Sequence, residues 1–204
     1  MEKLFSFSII AALGIGACIG GAATYLFLAT MEPTFDFHPI ADPSSEEYHV
    51  HADFLIYIGE EKIDLSDEQF MTSNQQTVHK HAHLHDGNGE VKHIHAEDIT
   101  FAEFLDSLGI TLTDSCLNLF TDNQYCSGEE NEVLLYVNGE LYPGLITQYV
   151  PVDNDRVLLY YGKSSDPQIE QYLANIPDDS CYYSGTCPER GIAPAESCGL
   201  TCEL

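Results

Sequence analysis

Tryptophan is absent from this chain of 204 residues, methionine occurs three times, and seven lysines and arginines face 33 aspartates and glutamates. A formal net charge of −26 leaves no basic patch from which a nucleic acid could displace counterions, so nucleic acid is excluded as a partner. Cations are the natural guests of such a surface, although the same acid also serves plain solubility. No Cys-x-x-Cys occurs, which removes support for a thioredoxin-type redox role. No HExxH or GxSxG occurs either, so the usual zinc-protease and serine-hydrolase signatures are missing.

What is present begins with a long apolar run. Leu4 to Thr30 carries no charge over 27 residues, enough to cross a hydrocarbon core of about 30 Å as a helix. A secretory h-region is shorter, about 7–15 residues, so the run reads as a retained signal-anchor. Lys3 before it and Glu32 and Asp36 after it favour a cytoplasmic N-terminus and a C-terminal domain outside the cytoplasm. Ile15 to Cys18 loosely resembles a lipoprotein processing site, and Gly16 with Gly20 forms a GxxxG that could pack two helices. The expected location is the cell membrane, single-pass. The expected domains are an anchor over residues 1–31, an acidic Pro- and Ser-containing spacer over 32–47, an α+β domain over 48–163, and a short helix with a cysteine-rich tail over 164–204.

Beyond Cys18 the chain holds Cys116, Cys126, Cys181, Cys187, Cys198 and Cys202. An even set in an exported domain reads as disulfides, with Cys116 and Cys126 the nearest pair. The last four could alternatively hold zinc.

The histidines carry the chemistry. Val78 to Glu97 reads VHKHAHLHDGNGEVKHIHAE and holds six of the nine, His79, His81, His83, His85, His93 and His95; His49 and His51 repeat the same spacing upstream. In a strand, residues i and i+2 share a face, so each His-x-His sets two imidazoles side by side. On a helix they would splay by roughly 200°. The predicted site is therefore a metal centre on paired strands, with His49, His51, His81, His83, His85, His93 and His95 as candidate ligands. Imidazole suits zinc first and copper(II) second. Copper(I) prefers soft sulfur, and beyond the apolar run only Met31 and Met71 offer a thioether. Asp53, Asp86 and Glu97 are the nearest carboxylates for completing a shell or orienting a ring. The four alternate histidines from His79 to His85, together with His49, His51, His93 and His95, exceed one tetrahedral shell, so some are expected outside it or in a second site.

Register decides which rings meet. Val78–His85 and Val91–His95 are the predicted hairpin strands around an Asp86-Gly87-Asn88-Gly89 turn. With an odd number of loop residues, His81 and His83 share a face with His93 and His95; with an even number they oppose. Gly89 at a left-handed bulge position gives the odd case, which gathers the imidazoles.

The remaining elements point to an α+β domain with a mixed sheet. Tyr48 to Leu65 alternates as a strand, a turn at Gly59 and a short return. Thr100-x-x-Glu103 is a capping box opening a helix whose Phe101, Phe104, Leu105 and Leu108 make one apolar stripe, closed by Gly109. Cys116–Phe120, Val133–Val137 and Arg156–Tyr161 read as strands, Asn138-Gly139 as a hairpin turn, and the stretch after Asp166-Pro167 as a helix running to Asn175.

VNGELY followed by VPVDNDRVLLYYG resembles the end of a β-grasp (ubiquitin-like) domain. HVHADFLIYI, HLHDGNGEVKHIHAEDITFAEFLDSLGI and VNGE together resemble a family of uncharacterised, membrane-anchored exported proteins of archaea and small bacteria, over about Tyr48 to Gly162. That resemblance implies a metal site and names no reaction. The expected function is an extracytoplasmic, membrane-anchored metal-binding module for buffering, delivery or sensing, with a second envelope protein as a candidate partner. Two alternatives stay open. One is a metal-dependent enzyme, a zinc hydrolase or a cupin-like protein. The other is a structural or adhesive ectodomain locked by an ion.

Overall fold

The computed structural model describes residues 48–72, 80–120 and 123–193. The chain divides into two compact units, Met1–Glu46 and Glu47–Leu204. The first lies outside the described residues.

In chain order the elements of the second unit are β1 (Val50–Ile58), β2 (Glu61–Lys62), β3 (Ala82–His83), β4 (Val91–Ile94), helix α1 (Phe101–Ser107), β5 (Ile110–Leu112), β6 (Cys116–Leu119), β7 (Asn123–Cys126), β8 (Glu132–Val137), β9 (Glu140–Leu141), β10 (Arg156–Gly162), and helices α2 (Ile169–Asn175) and α3 (Ser180–Tyr183). The larger sheet runs β3-β4-β1-β10-β8-β9, with β2 also on β1, and β5-β6-β7 form a small second sheet. β1 and β10 lie parallel at the centre, and their neighbours run antiparallel.

Strand β1 explains the layering, because both of its faces are apolar and both are covered. Phe54 and Ile56 join Val157, Leu159 and Leu135 under α1, whose Phe101, Phe104 and Leu105 are fully buried. Leu55 and Tyr57 join Leu158, Tyr160 and Leu134 on the other face, against Ile169, Tyr172 and Ile176 of the C-terminal segment. The Tyr57 and Tyr172 rings stack at 4.1 Å. Each such apolar side chain contributes about 1.5–3 kcal/mol on burial.

Local chemistry fixes the connections. Thr100 Oγ1 accepts the Glu103 N–H at 3.1 Å while Glu103 accepts the Thr100 N–H at 2.8 Å, so the capping box forms at α1. Asn138 and Gly139 adopt φ of 53° and 86°, the twist a two-residue hairpin needs. In the histidine hairpin, positive φ falls on Asp86 and Gly87, not on Gly89 as the sequence suggests. Gly89 serves close approach instead: a Cβ there would stand 2.5 Å from the Leu65 carbonyl carbon. The Cys116–Cys126 disulfide closes β6 on β7, and a second disulfide joins Cys181 and Cys187. These bonds remove Cys181 and Cys187 from any zinc–thiolate set; Cys198 and Cys202 lie outside the described residues.

Two expectations are corrected. No helix among the described residues is long and apolar enough to cross a membrane. The fold class is therefore α+β with mixed sheets and few, short helices, rather than a transmembrane helix followed by an ectodomain. The single-pass location at the cell membrane falls with it; Leu4 to Thr30, which that reading uses, lies outside the described residues. A second layer covers the sheet face opposite α1, because Leu55, Tyr57, Leu158 and Tyr160 would otherwise leave that face apolar and wet.

One core residue has no sequence warning. Lys92 pairs with Ala52 and points into the α1 layer, 99% buried, with its Nζ 4.8 Å from the Phe101 ring centre and 5.2 Å from that of Phe104. Among the described residues its amine has no hydrogen-bond partner. Burial pushes it well below its ordinary value of 10.5, against a weaker upward pull from Asp155. Lys92→Met should raise the unfolding free energy at neutral pH by about 1–3 kcal/mol, the usual penalty of an unpaired buried polar group. The unfolded chain titrates near 10.5 and the folded one lower, so between those values the unfolded state holds the extra proton. Stability should accordingly climb as pH rises through that window, and denaturant melts at stepped pH should show the slope flattened in Lys92→Met.

Candidate metal centre

The histidine face is built by register. His51 on β1 lies opposite His93 on β4, which lies opposite His83 on β3. This is the odd-loop arrangement. One step along the same ladder sets His49, His95 and His81 in line, and the His95 N–H donates to the His81 carbonyl at 2.7 Å. One step the other way pairs Asp53 with Val91, and His85 follows β3 with its ring 3.8 Å from that of His93. Because side chains alternate, all nine positions lie on one face, and seven are histidines.

The rings close into a circuit. Centroid separations run 4.5 Å from His51 to His49, 4.3 Å to His95, 5.0 Å to His83, 5.9 Å to His85, 3.8 Å to His93 and 4.6 Å back to His51. His51, His83, His85, His93 and His95 are buried, His81 is half-buried and His49 is exposed. The nitrogens of His49, His51 and His93 lie within 4.8 Å of one another. A tetrahedral ion with bonds of about 2.1 Å spaces its donors about 3.4 Å apart, so ring rotation of roughly an ångström would complete a three-imidazole shell.

Two rings have their tautomer set by carboxylates. Ser184 Oγ lies 2.8 Å from His51 Nδ1 and donates to Asp153 Oδ1 at 2.5 Å. A hydroxyl has one proton, so its oxygen must accept from His51 Nδ1–H, and Nε2 then carries the lone pair. His85 Nδ1 lies 2.8 Å from Asp86 Oδ2, an acceptor when ionised, with the same consequence. A carboxylate behind an imidazole is the arrangement that orients metal-binding histidines.

The C-terminal segment covers this face. Tyr183 lies 5.7 Å from His51, 5.2 Å from His93 and 6.4 Å from His85 between ring centres. Asp53 accepts from the Asp179 and Ser180 N–H groups at 3.0 and 3.1 Å and from Ser180 Oγ at 2.5 Å. Its carboxyl is pushed up by burial, and these hydrogen bonds draw it back. Arg156 donates to the Ile176 and Pro177 carbonyls at 2.5 and 3.1 Å. Asp53 is thus a clamp for the cover, Asp86 orients a ring, and Glu97 is exposed.

Asp153, Tyr183 and Ser184 escape sequence reasoning. Asp153 reads only as part of an acidic turn, and Ser184 stands 133 residues from the ring it touches. No local spacing could have joined them.

Ser184→Ala should cut the metal affinity of the centre by about 10–100-fold, the usual effect of removing an orienting partner behind a ligand, while leaving the ion count unchanged. Competition titration against a chelator measures it. Asp53→Ala strands two N–H groups and a hydroxyl, and should destabilise the chain by about 2 kcal/mol or more in denaturant melts. No protein-family model, curated protein or solved structure matches this chain.

Proposed function

We propose that this chain is a metal-binding module that holds zinc, with copper(II) as the alternative ion, in the work of buffering, delivering or sensing that metal. The observation that carries this reading is the meeting of His49, His51 and His93 from two strands, with donor nitrogens within 4.8 Å. Neutral nitrogen donors suit these two borderline ions better than calcium or magnesium, which take oxygen. A net charge of −26 surrounds the imidazoles with a field that concentrates cations.

A structural ion is the second reading, favoured by the covering segment. Ser184 ties that segment to His51, so an ion on His51 would also fasten the cover. The two readings part on the metal-free protein. A buffer or carrier keeps its fold when stripped by a chelator and takes the ion back reversibly; a structural site loses tertiary structure or melts far lower.

Titration of the metal-free chain with zinc or copper(II) should show tight uptake at neutral pH and release on acidification, since protons compete for the same nitrogens. His93→Ala should weaken uptake by more than the roughly 100-fold upper range for an orienting residue. If the native chain takes up neither ion, the reading is wrong.

A further inference from the structure

We propose that the histidine face is a two-ion centre, with a second zinc or copper(II) position formed by His83 together with His85 and His95. The inference rests on the metal-binding reading above and adds a site to it.

Ligand number gives the first reason. A tetrahedral ion takes about four donors, and the ring circuit holds six imidazoles. His49, His51 and His93 supply one shell, which leaves His83, His85 and His95. Spacing gives the second. Two imidazoles bound through one nitrogen each, at about 2.1 Å and a tetrahedral angle, have centroids about 5 Å apart. His83 stands 5.0 Å from His95 and 5.9 Å from His85.

Orientation gives the third reason, and it is independent of the first site. His85 is anchored through Nδ1 by Asp86, just as His51 is anchored by Ser184 and Asp153. Each half of the circuit thus has its own carboxylate-backed histidine, on opposite sides of β4. Anchors on both sides of β4 give each ion an oriented ligand of its own. Burial is the fourth: His83 is 0% and His85 1% exposed, although both sit on or beside the edge strand β3 where water would be near. The first shell lies toward β1 and the second toward β3, so the ions would be separated by about one strand spacing, about 5 Å.

The test is metal stoichiometry of the full chain by native mass spectrometry after loading with copper(II), with electron paramagnetic resonance of the same samples. Two ions per chain are expected, with a dipolar-broadened spectrum from the close pair. His83→Gln and His85→Gln should each leave one ion and a sharp, isolated copper(II) signal. His51→Gln should also leave one ion, now on the His83 side. The retained ion reports folding in each variant, because the first shell needs β1 paired with β4 and the second needs β4 paired with β3; His85, in the loop, is the safer substitution should His83→Gln fail to fold. One ion per chain in the parent overturns the second position and leaves the metal-binding reading standing. Two ions that persist in both His83→Gln and His85→Gln overturn it as well, since the extra ion then sits elsewhere. Uptake of no ion sinks both readings.

Discussion

The antiparallel register of β3, β4 and β1 is the constraint on which the rest depends. It sets His83, His93 and His51 in one row across the sheet, with further histidines one step away. A slip of one residue in either pairing would turn a whole set of imidazoles into the α1 core. Several devices hold the register. β1 is locked by its long parallel pairing with β10 from Asp53 to Ile58. The hairpin loop is seated by Gly89 against the backbone of Leu65. The α1 layer gives the opposite face so much apolar surface that reversal of β4 would bury imidazoles in hydrocarbon.

The same register divides the second face of the sheet into two halves. One half is apolar and is capped by α2 through Tyr172 and Ile176. The other is polar and is capped by α3 through Tyr183 and Ser184. The cover is fastened at the join by Asp53 on Ser180 and by Arg156 on the carbonyls of Ile176 and Pro177. The Cys181–Cys187 disulfide closes the short loop that carries Tyr183 and Ser184. Chemistry and stability are thus coupled, because the groups that orient His51 also hold the C-terminal segment down.

Much of the local structure was legible in the residues. His-x-His steps imply a strand face, Thr100-x-x-Glu103 implies a capped helix, Asn138-Gly139 implies a tight hairpin, and Cys116 and Cys126 are close enough in sequence to pair; all four features are present. Each is a short-range pattern whose physics acts within a few residues. What was not legible acts at long range. The burial of Lys92 depends on α1 lying over Ala52 and Phe54, and the α3 helix depends on a carboxylate 126 residues away. The reading of Leu4 to Thr30 as a membrane helix rests on the length of an uncharged run that lies outside the described residues, and no helix among the described residues is long and apolar enough to cross a membrane.

The sequence by itself determined that the histidines would share a strand face, since alternation with period two is a property of any extended chain. It also determined the donor type, and therefore the class of ion that suits it. Which histidines meet was decided by the tertiary structure. Pairing of β1 with β4 joined His49 and His51 to His93, and folding of the C-terminal segment placed Ser184 and Asp153 behind one ring. His51 lies 42 residues from His93 and 133 from Ser184, and only burial of the shared apolar core brings such distant groups together.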